Sequence, residues 1–292
     1  MNLLWEIKRG EWFILGDFAM SYLPVIQRLL TGQAYEYKKR PDKLQVYTSD
    51  TGSKLNAGNG FEEAKPGSVA VIPLKGAMTK YGTLCEYGTT EIAQYLYQAA
   101  DNAAIDGVVL DVDTGGGAGN SIQPMIDAIK YVQSKGKAVD IYGDMIASAG
   151  YYVAVYANRI FLSSELSSQV GSIGIYTVLI DNKEMLEKEG YKIHEIYPPE
   201  SSYKNREYKE AFEGNYELII SESLSPMAIN FQEAVKANRK KIDIKAAGIL
   251  NGRMFRANDA VKFGLADEIG TIDKAISHVR AFRETEKFRK NF

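Results

Sequence analysis

The sequence has few of the residues that usually form disulfides, metal centres and histidine-based active sites. Its 292 residues include one cysteine and two histidines. A single cysteine cannot form an internal disulfide framework, and it fits a reducing compartment. Two distant histidines and one cysteine make no recognisable cluster of metal ligands. We therefore predict neither a metal nor any other cofactor.

Excess charge of one sign and long apolar runs are also lacking. The chain has 35 Lys and Arg against 37 Asp and Glu, a formal net charge of -2. This balance gives no electrostatic case for nucleic acid or an anionic membrane as the main partner. The most apolar N-terminal stretch, Trp12–Leu30, is interrupted by an aspartate, a proline and an arginine. Because a signal peptide or a membrane span needs an uninterrupted apolar core, we interpret this stretch as a packing helix or a docking arm and expect a cytoplasmic protein.

Composition divides the chain into three parts. Residues 48–68 are rich in Gly, Ser, Asn, Asp and charge, which is typical of a linker or loop. We predict that they separate an N-terminal helical segment, residues 1–47, from a domain that spans residues 69–292.

Strand-like and helix-like segments alternate in the first half of that domain. This βαβα order indicates an α/β fold with a mainly parallel sheet covered by helices. The predicted strands are Val69–Leu74, Gly107–Val112, Ala138–Tyr142 and Arg159–Leu162. The predicted helices are Glu91–Asn102, Ser121–Gln133, Ala149–Tyr156, Met185–Glu189, Leu218–Arg239, Ile244–Leu250 and Ala257–Phe263.

Three loops follow predicted strands, and in a parallel sheet such loops gather at the carboxyl ends of the strands. The first loop, residues 113–117, contains three consecutive glycines. Consecutive glycines are tolerated where the backbone takes a positive φ or approaches a ligand closely, and their N–H groups suit a developing oxyanion. A tight strand-to-helix turn without a ligand explains them equally well.

The second loop places Ser148 at the start of a predicted helix, among small residues. A serine there can act as a nucleophile, although an isolated serine at a helix start is far more often an N-cap. The third loop, Gly171–Gly174, leads into a strand-like segment, residues 175–180. Its glycines serve either a turn or a place where a substrate strand pairs with the backbone.

A serine nucleophile needs a base, and the sequence offers histidines or lysines. His194 lies in a strand-like segment, and His278 lies in the last helix with a solvent-facing position expected. A Ser-His-Asp triad stays open, but neither histidine lies in a loop that resembles a site. Lys204 follows a strand-like segment and lies in a loop, whereas the competing Lys209 has acidic neighbours that favour a charged, solvated lysine.

Four motifs in this order resemble peptidase family S49, the signal peptide peptidase A family. In the family's Asp-Ser-Pro-Gly-Gly loop, this chain has Thr114 and Gly115 in place of Ser and Pro. The remaining three motifs match Ala147–Tyr152, Gly171–Gly174, and a closing pattern from Asn251 to Gly270. The similarity spans about residues 69–276.

The resemblance implies a crotonase-like (ClpP-like) α/β fold and a Ser/Lys dyad that hydrolyses peptide bonds through an acyl-enzyme. It assigns Ser148 as nucleophile and Lys204 as base, although the glycine that usually precedes the family's lysine is absent here and Lys209 remains the alternative. The implied oxyanion hole uses backbone N–H groups of Gly116, Gly117 and Ala149. The implied substrate-binding residues are Gly171, Ser172 and Gly174.

The first thirty residues look like those of prophage-encoded members that act as capsid assembly or head-maturation proteases. The partners implied are a polypeptide substrate, further copies of the chain in a ring, and phage capsid or scaffold proteins, with the prohead as a second location. Two alternatives stay open. One is a degenerate family member that serves as an assembly or scaffold component, and the other is a crotonase-type acyl-CoA enzyme that needs no serine nucleophile.

Overall fold

A computed structural model describes most of the chain and all of its central sheet. The described residues are 12–22, 28, 40–50, 54–82, 86–179, 181 and 183–290. Cys85 and more than half of the predicted N-terminal segment, residues 1–47, lie outside them.

Strands and helices alternate through the middle of the chain, as the sequence predicted. The strands are β1 (Trp12–Ile14), β2 (Val46–Ser49), β3 (Asn56–Gly58), β4 (Ser68–Lys75), β5 (Ile105–Thr114), β6 (Gly116–Ala118), β7 (Ala138–Ala147), β8 (Arg159–Leu162), β9 (Gln169–Gly171), β10 (Met254–Arg256) and β11 (Glu268–Ile269). The helices are α1 (Gly16–Ser21), α2 (Thr89–Asp101), α3 (Ile122–Ser134), α4 (Ala149–Ala154), α5 (Lys183–Lys188), α6 (Arg206–Phe212), α7 (Glu217–Ile219), α8 (Ser225–Asn238), α9 (Ala257–Lys262) and α10 (Ile272–Lys290).

The central sheet has the order β3-β2-β4-β5-β7-β9-β10, with β8 also beside β7 and β11 beside β8. Strands β4, β5, β7, β8 and β9 are parallel to their neighbours in this set. Strand β7 has two partners on one edge, because residues 140–143 pair with β8 and residues 145–147 pair with β9. The carboxyl end of β7 therefore lies between β5 and β9.

Helices cover both faces of the sheet, which is why β5 reads as an almost continuous apolar run. Val108, Val109 and Leu110 alternate between the faces, and all three are fully buried. One face packs against α2 and α3, and the other packs against α10. Burying each such side chain contributes roughly 1.5–3 kcal/mol. Gly107 lies so close to α10 that a Cβ on it would be 2.5 Å from Val279 Cγ1.

The predicted fold class is confirmed: the protein is α/β, with a mainly parallel sheet flanked by helices. Each of the four predicted strands and most of the predicted helices are present, with ends shifted by a few residues. The predicted helix Leu218–Arg239 is divided into α7 and α8 by a π-helical turn, Ile220–Leu224. Pro226, which has no N–H to donate, follows that turn.

Four local predictions are wrong. The strand-like segment that contains His194 and precedes Lys204 forms neither a helix nor a strand over residues 191–198. The residues at Trp12–Ile14 form a strand rather than the start of a helix. Residues 244–250 form turns, because Gly248 takes a φ of +79° and a helix cannot continue through it. The strand-like segment 175–180 forms only a single bridge, at Tyr176, among its described residues.

The region around the predicted linker contributes to one edge of the sheet. Strand β2 pairs with both β3 and β4 in antiparallel fashion. The division of the chain into residues 1–47, 48–68 and 69–292 stays a prediction. Among the helices that the structure describes, none is both long and apolar enough to cross a membrane.

Candidate active site

The three predicted loops meet beyond the carboxyl ends of β5, β7 and β9. The N–H of Ser148 donates to the carbonyl oxygen of Gly171 at 2.9 Å, which joins the second loop to the third. A Cβ built on Gly116 would lie 2.9 Å from Ser148 Cβ, so the glycine loop directly adjoins the serine. Sequence order alone predicted this convergence, and the parallel sheet produces it.

Ser148 has a strained backbone conformation at the turn from β7 to α4. Its φ is 53° and its ψ is -116°, a combination that costs a non-glycine residue on the order of 1–3 kcal/mol. Only 1% of the residue is exposed, and its carbonyl accepts the N–H of Tyr152 at 2.8 Å. A sharp strand-to-helix turn of this kind presents the nucleophile in α/β hydrolases.

The side chain of Ser148 does not cap the helix that it precedes. An N-cap serine accepts a hydrogen bond from the second or third N–H of its helix, and α4 has no such side-chain bond. No hydrogen bond to its Oγ from any described residue is present either. The N-cap interpretation of this serine therefore loses its main support.

The two candidate oxyanion donors in the glycine loop face opposite directions. The N–H of Gly116 donates to Thr114 Oγ1 at 3.0 Å, so it is already engaged. Met78 pairs with one edge of β6, donating to the carbonyl of Gly116 and accepting from the N–H of Ala118. Because N–H groups alternate along a strand, the N–H of Gly117 points to the opposite edge. That edge carries β1.

Ala149, the third candidate donor, is the first residue of α4. The first N–H groups of a helix have no partner within it. Its place directly after Ser148 puts this N–H beside the serine.

The third loop is strained as well. Gly171 and Ser172 have φ values of 131° and 55°. The N–H of Ser172 donates to the carbonyl of Arg253 at 3.1 Å, and Gly174 lies against the backbone of Gly252. The predicted substrate-binding residues Gly171, Ser172 and Gly174 thus lie between the turn at Ser148 and the segment that leads into β10.

Lys204 is in a very different setting. It lies in an exposed turn just before α6, where its backbone N–H donates to the carbonyl of Ser201 at 3.0 Å. Its side chain forms no hydrogen bond or ion pair with the described residues, and the same holds for the exposed Lys209. The single chain therefore does not join either lysine to Ser148 by a hydrogen bond.

The histidines do not approach the serine either. His278, expected to face solvent, instead contacts the fully buried Asp140 through its Nδ1 at 2.6 Å. Burial raises the pKa of Asp140. Asp140 precedes Ser148 by eight residues along β7, which places it about 26 Å away along the strand. His194 is exposed and lies outside any helix or strand.

One feature of the site was missed by the sequence analysis. Strand β1 lies along the glycine loop, with Phe13 opposite Gly117 and Ile14 opposite Gly116. The ring of Phe13 is buried and packs edge-on against the stacked rings of Tyr152 and Phe231, with centroids at 6.1 and 5.8 Å. The apolar run Trp12–Ile14 was the available signal, and its interpretation as part of a helix concealed it.

No cluster that could hold a metal occurs in the described part of the chain, where three or more His, Cys, Asp or Glu side chains never converge. The residues around Ser148 supply a hydroxyl and backbone N–H groups. These are the groups used in acyl transfer.

Several curated proteins resemble this chain over about three quarters of its length. Protease 4 of Haemophilus influenzae is 25% identical over 214 residues, covering 73% of this chain and 34% of that protein. Capsid assembly protease C of Escherichia phage lambda is 26% identical over 226 residues, covering 76% and 51%. The head-tail preconnector protein of Enterobacteria phage P21 is 23% identical over 214 residues, covering 72% and 42%. The chain thus spans between a third and a half of the length of these relatives.

Solved structures with a similar chain path include a membrane-bound stomatin-specific protease in complex with a substrate peptide. It has a TM-score of 0.42 and 16% identity, and the match covers 71% of this chain and 76% of that one. An enoyl-CoA hydratase/isomerase from Pseudoalteromonas atlantica has a TM-score of 0.40 and 12% identity, covering 76% and 77%.

The protein-family comparison matches residues 130–285, which is more than half of the chain. The matched part includes the turn at Ser148, the third loop and the segment around Lys204. On this match the chain is a member of peptidase family S49.

Proposed function

We propose that this protein is a serine endopeptidase in which Ser148 is the nucleophile. The observation that carries the proposal is the conformation of Ser148, which is held at a positive φ beside the glycine loop although its hydroxyl caps no helix. Backbone strain of this kind persists where the surrounding structure imposes it, and it is concentrated at active sites. A serine with only a structural role needs no such strain.

The reaction follows from the groups around the serine. Ser148 Oγ attacks the carbonyl carbon of a peptide bond while a base takes the hydroxyl proton. The N–H groups of Gly117 and Ala149 stabilise the oxyanion of the tetrahedral intermediate. The amine leaves with a proton returned by the base, and water then hydrolyses the acyl-enzyme at Ser148 by the same steps.

We assign the base to Lys204, and its exposure bears on how it acts. A lysine base must be neutral, which requires burial or a nearby positive charge. Lys204 is exposed, so its own chain does not bury it. The segment before it carries exposed apolar side chains, namely Tyr191, Ile193, Ile196 and Tyr203. We propose that a second copy covers this segment, so that Lys204 of one copy serves Ser148 of its neighbour in a homo-oligomeric ring.

The natural substrate that we propose is a phage capsid or scaffold polypeptide. Two of the similar proteins carry phage assembly names, the lambda capsid assembly protease and the P21 preconnector protein. The proposed setting is the cytoplasm of a bacterial host or the phage prohead.

Hydrolysis of an unfolded protein by purified variants tests the mechanism. We expect Ser148→Ala to lower the rate by about 10⁴-fold or more, and Lys204→Ala to lower it by about 10²–10⁴-fold because the general base is lost. Lys209→Ala is the matched control and should retain activity. Full activity in Ser148→Ala would refute the mechanism, and loss in Lys209→Ala but not in Lys204→Ala would reassign the base.

A second candidate is an assembly component that has lost hydrolytic activity. The observation in its favour is the lack of any base within hydrogen-bonding reach of Ser148 in the described part of the single chain. A fluorophosphonate probe separates the two functions, since only an activated Ser148 is labelled.

A further inference from the structure

Strand β1 lies between two parts of the site as an extended peptide would. On one side it pairs in antiparallel fashion with β6, the strand formed by the glycine loop. On the other side Trp12 exchanges backbone hydrogen bonds with Tyr176, which follows the third loop. The three residues are held by backbone contacts along β6 and by the one bridge from Trp12 to Tyr176, and such contacts are independent of sequence.

The register of β1 places one of its carbonyls at the proposed oxyanion donor. The N–H of Leu15 donates to the carbonyl of Gly115 at 2.7 Å. Since hydrogen-bonded pairs alternate along an antiparallel ladder, Phe13 and Gly117 form the next such pair. A Cβ built on Gly116 would lie 2.1 Å from the carbonyl oxygen of Phe13 and 2.9 Å from Ser148 Cβ. The Phe13 carbonyl and Ser148 therefore adjoin the same glycine.

The side chain of Phe13 fills an apolar pocket beside the serine. The residue is 2% exposed, and its ring packs edge-on against Tyr152 and Phe231. A further cavity of about 190 Å³ lies next to the ring, bordered by Phe13 itself together with Ile122 and Met227. Such a pocket favours a large apolar side chain at one position of an extended peptide.

We propose that the Trp12–Leu15 segment is an internal pseudosubstrate that occupies the peptide-binding groove of this protein. The inference rests on the proposed function, and it adds both a substrate preference and a form of control. The groove takes an extended peptide with an aromatic or large aliphatic residue in the Phe13 pocket. Before any other peptide can pair with Gly117, the segment must leave.

Peptide binding in the Ser148→Ala background tests this occupancy without requiring hydrolysis. The probe is a fluorescein-labelled synthetic peptide of residues 10–18, titrated by fluorescence anisotropy. Phe13→Asp in the protein places a carboxylate in the apolar pocket and should release the segment, whereas Phe13→Leu is the matched control. A buried unpaired charge is strongly disfavoured, so the segment of the aspartate variant should leave the groove free. We therefore expect the Kd of the peptide to be at least about tenfold lower for Phe13→Asp than for Phe13→Leu.

A second pair of variants serves if the aspartate variant fails to fold. Leu15 has a φ of -69°, which suits proline, so Leu15→Pro removes only the N–H that bonds to Gly115. Leu15→Ala keeps that N–H. We expect the proline variant to bind the peptide about three- to tenfold more tightly than the alanine variant, the effect of one net hydrogen bond. A peptide with aspartate at the Phe13 position should not bind.

Each outcome decides between the two proposals. Equal affinities of the proline and alanine variants, or no saturable binding to any variant, would overturn the pseudosubstrate. If the affinities are as expected but no variant that retains Ser148 hydrolyses protein, the pseudosubstrate proposal is supported and the endopeptidase proposal is refuted.

Discussion

The two proposed members of the dyad lie in regions that could hardly differ more. Ser148 is buried, its backbone is bonded to Gly171 and Tyr152, and the glycine loop packs against its Cβ. Lys204 lies in an exposed turn, and the chain before it from residue 189 to residue 198 has no helix or strand. The fold of one chain therefore fixes the position of the proposed nucleophile and leaves that of the proposed base open.

This difference has a physical origin in the sheet. Ser148 follows directly from β7, an interior strand with neighbours on both edges, so the sheet determines where the serine lies. Residues 189–205 are almost all exposed, so we expect their conformation to depend on what covers them. We expect substitutions near Ser148 to act within one chain and substitutions near Lys204 to act through assembly.

Among substitutions that keep Ser148, the largest effect on its side is expected from Gly117→Ala. A Cβ there would lie 1.9 Å from the carbonyl oxygen of Met78, so the loop must shift and misplace the N–H that faces the groove. We expect hydrolysis to slow by about 10²–10³-fold, the usual cost of losing one oxyanion donor. Gly60→Ala is the control, since nothing lies within 4 Å of a Cβ at that position. Equal rates in both variants would show that the loop is not part of the site.

A smaller effect, on stability alone, is expected from His278→Ala. The substitution leaves the buried Asp140 without its partner, which should lower the free energy of unfolding by about 1–3 kcal/mol. Urea denaturation measures this change, and His194→Ala, at an exposed position, should show none. The rate per folded molecule should stay the same, because the Asp140–His278 pair lies at the other end of β7. A tenfold slower rate in folded His278→Ala would contradict the separation of this pair from the site.

The smallest effect is expected from replacing a residue of positive φ with glycine, once in each region. Ser148→Gly should raise the free energy of unfolding by about 1 kcal/mol, because glycine tolerates a positive φ while it also adds entropy to the unfolded chain. Asn205, next to Lys204, has a φ of 59°, and asparagine adopts this region with little penalty. We therefore expect no gain from Asn205→Gly in thermal denaturation. If Asn205→Gly stabilised the protein as much as Ser148→Gly, the backbone at Ser148 would be no more strained than that at Asn205.

The parts of the fold that the sequence predicted have a strong local pattern. Strands β4, β5 and β8 each contain an apolar run that is buried on both faces, and α3 has apolar residues at helical spacing. The loops after β5, β7 and β9 could be predicted to meet because the order of elements implied a parallel sheet. For Ser148, motif order added what a local pattern could not supply.

The parts that the sequence did not predict depend on distant contacts. Strand β1 has three residues and exists only because β6 and Tyr176 offer it two edges. His278 lies on a helix with a weakly amphipathic sequence, and its contact with Asp140 joins residues 138 positions apart. Backbone strain at Ser148 could not be predicted because a serine at a helix start ordinarily adopts a relaxed N-cap conformation.

The most direct test of the account mixes two inactive variants, Ser148→Ala and Lys204→Ala, that carry different purification tags and are refolded together. If Lys204 of one copy serves Ser148 of its neighbour, each contact between neighbours forms one site. In a random assembly of equal amounts, about a quarter of these contacts combine an intact Lys204 with an intact Ser148. We predict hydrolysis at about that fraction of the wild-type rate. No recovery in complexes that contain both tags would show that each chain must supply its own base, and it would contradict the account.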